Sequence, residues 1–575
     1  MKKILCLVLS LMLLLSTAAS AGSVPDGTYQ GAGTGMIGEV KVDVTFASGK
    51  ITEVVVTEHI ETPGISDLAL DRLPGEIVEY NSVALDAVSG ATMTSNAILE
   101  GVTEAIKAAG GDVADYSGAA KAVEQKTETR TVDFAVAGGG LAGLVGAITA
   151  AEAGASVVLV EKTAQVGGSL MIAGGNFISV NSEISKEYGV DDNKEAALVL
   201  WHKTADYGPN PVGQYPDYER VDAYMDQIDG LLTWMKGHGV PYFRATEADP
   251  DTMVKIYTDG RGAAVTAALE AAAIAAGVEI ITETAVTELL FEDGKVVGFK
   301  AIGAALDLTV EAANVLLATG GFGMNPEMMA KEIPEYANAP AQGGAGNTGD
   351  GFVMAEAVGA AFYEDPWTIP SGLSMVPAFA AAAGDVSAVN FRHGILVDAA
   401  TGKRVIDEDN GIGSVVANAV ATAGGKVYAI FGSGNAEAVK ALEAGLDVVL
   451  KGETLEALAQ AAGIDAELVN TATLYDEEAA KGALSTFNKK EANLLPLGGA
   501  PYYAVEMLPV QLGTVAGVVT DIDGRVLTAD GSPIPGLFAA GEMSNRAFYN
   551  QAYVGAASLS LYSIMAQRAA EVALK

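Results

Sequence analysis

One segment of the chain restricts the possible folds more than any other: residues 131–162, TVDFAVAGGGLAGLVGAITAAEAGASVVLVEK. It reads as a strand, a glycine-rich turn, a helix and a second strand that ends at Glu161. In the turn, Gly138, Gly140 and Gly143 have the spacing that allows a tight bend and the close approach of a pyrophosphate to the helix N-terminus. The acid at the end of the second strand can accept hydrogen bonds from a ribose. The segment therefore predicts a dinucleotide-binding βαβ unit in an α/β fold.

The composition fits a multidomain enzyme and excludes one large class of binding proteins. At roughly 100 to 200 residues per domain, 575 residues suggest about three to five structural units. The 68 glycines favour a fold with tight turns and close backbone approaches. Because 34 Lys and Arg residues stand against 72 Asp and Glu, the formal charge is −38 and we expect no nucleic-acid partner.

The first 21 residues have the pattern of a signal peptide. Lys2 and Lys3 precede an apolar run over residues 4–15, and Ala-Ser-Ala at 19–21 supplies a small-residue cleavage site. We expect an exported, extracytoplasmic protein at the cell surface, in the periplasm or secreted; an uncleaved membrane anchor is the alternative. Cys6, the only cysteine, would leave with the signal, so the mature chain would carry no disulfide, iron–sulfur cluster or Cys-linked haem.

The rest of the chain separates into regions by its pattern. Residues 22–109 are small and β-rich, and the apolar runs at 40–46 and 51–56 predict a hairpin. Residues 110–130 lack apolar periodicity and are interpreted as a linker. From residue 131 onwards, apolar strands alternate with Ala-rich helices, which is typical of a large α/β unit.

Further motifs in the α/β unit carry a resemblance to a known family. They are Gly167-Gly168-Ser169, Ala173-Gly174-Gly175, Ala318-Thr319-Gly320-Gly321, Asn347-Thr348-Gly349-Asp350-Gly351 and Gly536-Leu537-Phe538-Ala539-Ala540-Gly541-Glu542. Together with the glycine-rich turn they resemble the fumarate reductase and succinate dehydrogenase flavoprotein family over residues 131–575. The resemblance implies a Rossmann-like FAD-binding domain, in two parts at 131–365 and 497–575, with an inserted α+β capping domain at 366–496.

The same resemblance implies non-covalent FAD and the residues that contact it. Gly138, Gly140, Gly143 and Glu161 would hold the ADP half, and Val286 would lie by the adenine. Ser169, Gly174 and Gly175 would lie along the isoalloxazine and pyrophosphate, and Asp350 and Glu542 would reach the ribityl and ribose region. Ala557 and Leu559 would approach the flavin ring. The expected set is completed, from the same motifs, by Lys162, Gly168, Thr319 and Gly320.

A second motif lies in the β-rich region. Asp86-Ala87-Val88-Ser89-Gly90-Ala91-Thr92 resembles the Asp-x-x-(Ser/Thr)-Gly-Ala-Thr pattern of FMN-binding domains. The resemblance implies a small amino-terminal α+β FMN-binding domain in which a flavin transferase esterifies Thr92 to the phosphate of FMN. An unhindered hydroxyl in a Gly- and Ala-flanked loop, with backbone N–H groups nearby, suits that chemistry.

The chain departs from the fumarate reductase pattern where that family binds its dicarboxylate. Ser371 stands near one histidine position of the family and Gly513 at another, and Tyr553 and Ile412 stand at or near two arginine positions. The resemblance therefore does not extend to a C4-dicarboxylate clamp.

Other polar residues in the same segments are candidate catalytic groups. Tyr549 and Tyr553 could donate a proton or a hydrogen bond, and Arg392 or Arg546 could pair with a single carboxylate. His393 adjoins Arg392. With four histidines in the chain, we expect no His-based metal site.

These observations predict a flavin-dependent reductase of the C=C bond of an α,β-unsaturated acid or enone, of the urocanate reductase type. Covalent FMN would supply electrons from a membrane-associated donor during anaerobic respiration. Two alternatives stay open: a dehydrogenase of the ketosteroid type, which runs the chemistry backwards, and a two-flavin electron carrier. The capping domain disfavours the carrier, because an electron shuttle gains nothing from a substrate lid.

Overall fold

The computed structural model describes residues 24–61, 65–118, 125–205, 207–246, 253–375, 389–410, 412–445 and 449–575. The signal peptide predicted for residues 1–21 lies outside this set. The chain divides into an amino-terminal unit that ends at Gln125 and a larger unit, Lys126–Lys575.

The amino-terminal unit is an antiparallel sheet covered by helices. Its elements are β1 (Gly27–Thr34), β2 (Glu39–Ala47), β3 (Lys50–Glu58), α1 (Asp67–Tyr80) and α2 (Thr92–Ala108). The strands pair in chain order, so the predicted hairpin is confirmed as β2–β3. Alternate residues of β2, from Val40 to Phe46, are buried. Gly33 lets α2 approach β1, because a Cβ there would lie 2.1 Å from the Ala97 carbonyl oxygen.

The main sheet of the larger unit is Rossmann-like, as predicted. Its strands are β4 (Lys126–Ala137), β5 (Val157–Val160), β9 (Glu279–Ile281), β10 (Thr284–Glu292), β11 (Lys295–Gly303), β12 (Leu306–Leu317), β18 (Arg525–Leu527) and β19 (Pro533–Ala539). The order is β10-β11-β12-β4-β5-β9, and β19 also pairs with β12. The pairs that join β19, β12, β4, β5 and β9 are parallel.

Helices and a small antiparallel sheet surround this main sheet. The helices are α3 (Leu141–Glu152), α4 (Glu183–Glu187), α5 (Lys194–Ala205), α6 (Tyr218–Met225), α7 (Ile228–Gly237), α8 (Arg261–Ala275), α9 (Pro326–Glu332), α10 (Asp350–Ala357) and α15 (Ala557–Ala573). The small sheet is β6 (Phe177–Ile178), β8 (Lys255–Thr258) and β7 (Tyr242–Ala245), in that order. Helix α15 packs on α3, where Gly146 and Ala566 face each other.

The inserted cap is an α+β layer with apolar clusters on both faces of its sheet. Its strands are β13 (Trp367–Met375), β14 (Ile395–Asp398), β15 (Val427–Phe431), β16 (Leu450–Gly452) and β17 (Tyr502–Val515). Its helices are α11 (Gly413–Ala421), α12 (Ala436–Ala444), α13 (Leu455–Ala462) and α14 (Leu468–Ala479). The order is β13-β17-β15-β14, with β16 beside β17.

The structure differs from the predicted boundaries at two places. Strand β4 begins at Lys126, inside the predicted linker 110–130, because residues 126–130 pair with the start of β12 through the backbone while their side chains stay largely exposed. The cap also extends past residue 496. Strand β17 pairs with β13 and β15 up to Val515, so the return to the FAD-binding sheet comes later than predicted.

Candidate active site

The glycine-rich turn lies between the end of β4 and the start of α3. A Cβ at Gly143 would lie 1.9 Å from the carbonyl oxygen of Gly138, whose own φ is +102°, so both positions require glycine. A Cβ at Gly140 would meet nothing nearer than the Gly167 oxygen at 4.0 Å. The turn therefore leaves open space in front of the α3 N-terminus, where backbone N–H groups attract phosphate. This space fits a dinucleotide pyrophosphate.

Glu161 lies at the end of β5 and is buried beside this turn. Its Oε2 accepts the N–H of Gly139 at 2.7 Å, and its Oε1 accepts the N–H and the hydroxyl of Thr163, both at 2.8 Å. The carboxylate thus fixes the glycine-rich turn. This structural role comes in addition to the ribose contact that the sequence predicts. Val286, expected by the adenine, is buried on β10.

Four of the expected FAD contacts lie near one another: Thr319 and Gly320 on the loop after β12, Asp350 at the start of α10, and Lys162 after β5. Lys162 Nζ is 2.6 Å from Asp350 Oδ2 and donates to the Thr348 hydroxyl, which ties these loops to the end of β5. Gly320 has φ +77°. Among the described residues the buried hydroxyl of Thr319 has no hydrogen-bond partner. Such an orphaned hydroxyl fits a contact to a bound ligand.

Ser169 and Glu542 are joined through Asn347. The Asn347 side-chain amide lies 3.0 Å from the Ser169 hydroxyl and 3.3 Å from Glu542 Oε2. Glu542 Oε1 accepts the N–H of Thr514 at 2.6 Å and its hydroxyl at 2.8 Å. Burial raises the pKa of Glu542 to about 7, although the Thr514 hydrogen bonds act in the opposite direction. The carboxyl group is therefore a buried, titratable part of the predicted flavin region.

The remaining expected FAD contacts lie on the loop before β6 and at the start of α15. Gly168 and Gly175 have φ +50° and +68°, in the left-handed region that favours glycine. The Asn176 side-chain oxygen, beside Gly174, is a second buried atom without a partner among the described residues. Ala557 and Leu559 lie in the first turn of α15. Together with Thr319 and the open turn at Gly140, these features fit the FAD that the motifs imply.

The two candidate tyrosines meet at one serine. The Tyr549 hydroxyl lies 3.1 Å from Ser558 Oγ, and the Tyr553 hydroxyl also hydrogen-bonds Ser558. Tyr549 is 1 % exposed and stacks on Trp201, whereas Tyr553 is partly exposed. Burial raises the pKa of both hydroxyls, so both stay protonated at neutral pH. Of these two tyrosines, only Tyr553 has part of its side chain exposed.

The segment that carries these tyrosines also touches the cap. The Tyr553 N–H donates to the Ser414 hydroxyl of α11 at 3.2 Å, and the Asn418 amide donates to the Gln551 carbonyl at 2.6 Å. The Asn418 oxygen in turn accepts hydrogen bonds from Tyr336 and Trp367. Residues 549–556 therefore lie where the cap meets the FAD-binding part.

Arg546 begins the same segment and is fully buried. Its Nη1 donates to the carbonyls of Tyr549 and Asn550, each at 2.8 Å, and its guanidinium lies 4.1 Å from the centre of the Tyr215 ring. Burial lowers its pKa to about 10, and its Nη2 has no partner among the described residues. The structure thus places Arg546 behind the tyrosines, where it holds the backbone of their segment.

Arg392 and His393 lie on the cap, in a single turn before β14. The Arg392 side chain is 40 % exposed and lies over Phe391, with Nε 3.9 Å from Asp409 Oδ1. His393 Nδ1 is 3.1 Å from the Asn435 side-chain amide. The buried Lys489 donates to the Arg392 and Gly394 carbonyls and fixes this turn. The described contacts therefore group Tyr549, Tyr553 and Arg546 together, and do not join Arg392 or His393 to them.

The amino-terminal unit presents Thr92 at the first position of α2, exposed to solvent. Two residues later, the Thr94 hydroxyl donates to the buried Glu61 carboxylate at 2.6 Å. Glu61 also accepts the N–H groups of Met36 and Ile37, at 3.1 and 2.9 Å. Burial raises the pKa of Glu61, but these hydrogen bonds outweigh it, and the net shift is downward. An ionised Glu61 thus joins the β1–β2 turn to the helix that begins at Thr92.

Protein-family models match both the FAD-binding part and the amino-terminal unit. The model of the FAD binding domain family matches residues 133–559, and that of the FMN-binding domain family matches residues 35–107. The chain belongs to the FAD binding domain family. It also carries an amino-terminal FMN-binding domain, and it binds FAD and FMN as cofactors. A covalent threonine linkage is typical of the FMN-binding domain family.

Relatives cover most of the chain. It is 31 % identical to a urocanate reductase of Eggerthella lenta, over 92 % of this chain and 89 % of the relative. It is 29 % identical to an NADH:acrylate oxidoreductase of Vibrio harveyi, over 90 % of this chain and 58 % of that protein. The open conformation of a flavocytochrome c3 fumarate reductase superposes with a TM-score of 0.60 at 26 % identity, over 78 % of this chain and 79 % of that one. The chain is thus an FAD-dependent oxidoreductase.

The side chains around Tyr549 and Tyr553, called the tyrosine cluster below, include residues that the sequence did not predict. Ser558 forms hydrogen bonds with both tyrosine hydroxyls, Trp201 supports the Tyr549 ring, and Tyr562 accepts a hydrogen bond from Asn545 at 2.7 Å. Trp201 lies far away in the sequence and carries no local signal. Tyr562 could have been found, because it lies four residues after Ser558 and therefore on the same face of α15.

Two kinds of feature are absent from the described ranges. No helix there is long and apolar enough to cross a membrane. Those ranges also contain no group of three or more His, Cys, Asp or Glu side chains arranged to hold a metal ion.

Proposed function

We propose that this protein is an exported reductase of the C=C bond of an α,β-unsaturated acid or enone, supplied with electrons through FMN on the amino-terminal unit. The observation that carries the proposal is Tyr553, a partly exposed residue with a protonated hydroxyl, which lies in the loop before α15, contacts the cap through Ser414, and is next to the predicted flavin position. The urocanate reductase and the acrylate oxidoreductase among its relatives support a substrate of this class.

The chain's own residues have defined tasks in this reaction. FAD, when reduced and bound, supplies two electrons and one proton as a hydride to the β-carbon of the substrate. The Tyr553 hydroxyl supplies the second proton to the α-carbon, which completes the saturated product. Ser558 holds the Tyr553 hydroxyl in place, and Tyr549 fixes Ser558 from the buried side. The cap helix α11 excludes water over the same segment.

The amino-terminal unit supplies the site where electrons enter. Thr92 Oγ would carry the phosphate of FMN as an ester, formed by a separate flavin transferase. Its position at the N-terminus of a 17-residue helix favours a phosphate there. Because residues 1–21 have a signal-peptide pattern, we place the enzyme outside the cytoplasm with a membrane-associated electron donor, as an anaerobic respiratory reductase.

The test is anaerobic oxidation of reduced viologen by the flavin-loaded protein, with fumarate, urocanate, cinnamate, acrylate and a steroid enone as acceptors. We expect turnover with a monocarboxylate or an enone, and little with fumarate, because Ser371 and Gly513 stand near or at positions where the family pattern has histidines of the dicarboxylate clamp. Fumarate as the best acceptor would show that the clamp is rebuilt from other residues. No reduction of any acceptor would reject the proposal and favour the dehydrogenase or the electron carrier.

A further inference from the structure

One lysine next to the tyrosine cluster carries a positive charge that no carboxylate among the described residues balances. Lys255 is the first residue of β8 and is partly buried. Among the described residues its ammonium has no hydrogen-bond or ion-pair partner, in a chain where acids outnumber bases 72 to 34. Burial alone lowers its pKa, and no carboxylate acts in the opposite direction. A half-buried cation without an anion is costly unless a ligand supplies the anion.

The neighbours of Lys255 place it at the proposed site. A Cβ built on Gly555 would lie 3.6 Å from Lys255 Nζ. Gly555 is exposed and stands two residues after Tyr553, so the missing side chain leaves the ammonium open on that side. The Tyr553 hydroxyl is hydrogen-bonded to the backbone of Ala556 and Ser558, one and three residues after Gly555. The ammonium and the proposed proton donor therefore flank the same short loop.

The position of Lys255 is fixed from behind. Its cross-strand partner in the small sheet is Ile178, and the Ile178 N–H donates to the Ser560 hydroxyl in the first turn of α15 at 3.1 Å. The backbone of Lys255 is also held by Thr246, whose hydroxyl accepts its N–H at 2.9 Å. These contacts fix the backbone of β8, so that Lys255 Nζ is held beside the loop before α15.

We infer that Lys255 binds the carboxylate of the unsaturated acid, and so makes the site selective for monocarboxylic acids over neutral enones. This inference rests on the proposed function and names its substrate class. A single ammonium serves one carboxylate, which agrees with the absence of the dicarboxylate residues at positions 371 and 513. Arg546 Nη2 also has no partner among the described residues, but Arg546 is less suited to this role, because its side chain is fully buried, its Nη1 is bound to backbone carbonyls and its guanidinium lies on the Tyr215 ring.

The test compares a charged ligand with its neutral counterpart. Urocanate, cinnamate, acrylate and the three corresponding amides are titrated into the oxidised, FAD-loaded protein, and binding is followed by the change in flavin absorbance. We expect Lys255→Met to weaken binding of the best acid about 10- to 100-fold, as for the loss of a charged hydrogen bond, and to leave amide binding unchanged. Lys255→Arg should retain most of the affinity, and Lys440→Met, which removes an exposed charge from cap helix α12, should retain all of it.

The outcomes separate this inference from the proposed function. Equal loss of acid and amide binding in Lys255→Met, or wild-type protein that binds none of the acids better than its amide, would overturn the role of Lys255. If the wild type binds an acid through Lys255 but reduces nothing in the viologen assay, the anion site stands and the reductase proposal fails. FAD content, measured by absorbance after denaturation, should be equal in all variants; its loss in both Lys255→Met and Lys255→Arg would show a structural role instead.

Discussion

At the residue scale, burial separates side chains that look equivalent in the sequence. Tyr549 and Tyr553 occur four positions apart, and both could donate a proton. Tyr549 lies between Trp201 and Ser558 with almost no exposed surface, whereas the Tyr553 residue is partly exposed. The two arginines differ in the same way, since Arg546 is buried behind the tyrosines and Arg392 lies on the cap.

The tyrosines give a matched pair of variants. We expect Tyr553→Phe to lower kcat in the viologen assay about 100-fold or more, which is the usual contribution of a general acid. Tyr549→Phe removes only a support of Ser558 and should lower kcat less than about tenfold, since one neutral hydrogen bond contributes roughly 1 kcal/mol. A larger loss in Tyr549→Phe than in Tyr553→Phe would contradict the assignment of the donor.

Glu542 makes a prediction about pH. Its pKa is raised from 4.5 to about 7, so the folded protein holds this proton more tightly than the unfolded chain does. Its contribution to the free energy of unfolding is therefore fully present below pH 4.5 and lost as the pH rises to about 7, by about 3 kcal/mol in all. Denaturant unfolding of flavin-free wild type and Glu542→Gln at pH 5 and pH 8 measures this. Relative to wild type, the variant should gain stability at the higher pH, and an unchanged difference would refute the shift.

At the scale of elements, the β4–α3 turn separates glycines needed by the fold from a glycine needed by the ligand. Gly143 faces the Gly138 carbonyl at a distance that excludes any Cβ, but Gly140 faces open space. The same spacing motif therefore contains two different physical requirements.

Alanine substitution distinguishes these requirements. Gly140→Ala should fold with a melting temperature close to that of wild type without flavin, and bind FAD at least about tenfold more weakly, because the new methyl group occupies the pyrophosphate space. Gly143→Ala should destabilise the protein itself by about 1 to 3 kcal/mol or more. Melting curves and flavin titrations of both variants provide the measurement; full FAD affinity in Gly140→Ala would place the pyrophosphate elsewhere.

At the scale of the whole molecule, the chain joins two units with separate cofactor motifs. The amino-terminal unit has one sheet and the larger unit has three, and each unit has its own buried apolar residues. The FMN-binding match ends at residue 107 and the FAD-binding match begins at residue 133, so neither motif crosses the division at Gln125.

A variant of Thr92 tests whether the units act in series. Thr92→Ala, expressed with a flavin transferase, should retain FAD and lose the mass of one FMN from the intact chain. Turnover with reduced viologen, a small donor that can reach FAD directly, should fall by less than about tenfold, while turnover with host membranes as donor should fall at least about 100-fold. Wild type and Thr92→Ser, which keeps a hydroxyl, are the controls. Equal activity of Thr92→Ala with membranes would reject the relay.

The sequence by itself determined the fold class, the two flavin families and the position of each cofactor motif. Local spacing is sufficient for these, because a glycine-rich turn, a terminal acid or a Gly-Ala-Thr loop acts through backbone geometry over a few residues. Only the tertiary structure decided which tyrosine is partly exposed, that Arg546 lies behind the site, and that Lys255 lies next to Gly555, 300 residues away in the sequence. It also placed β17 in the cap sheet and extended β4 into the predicted linker, because strand pairing joins backbones whose side chains carry no local signal of their partner.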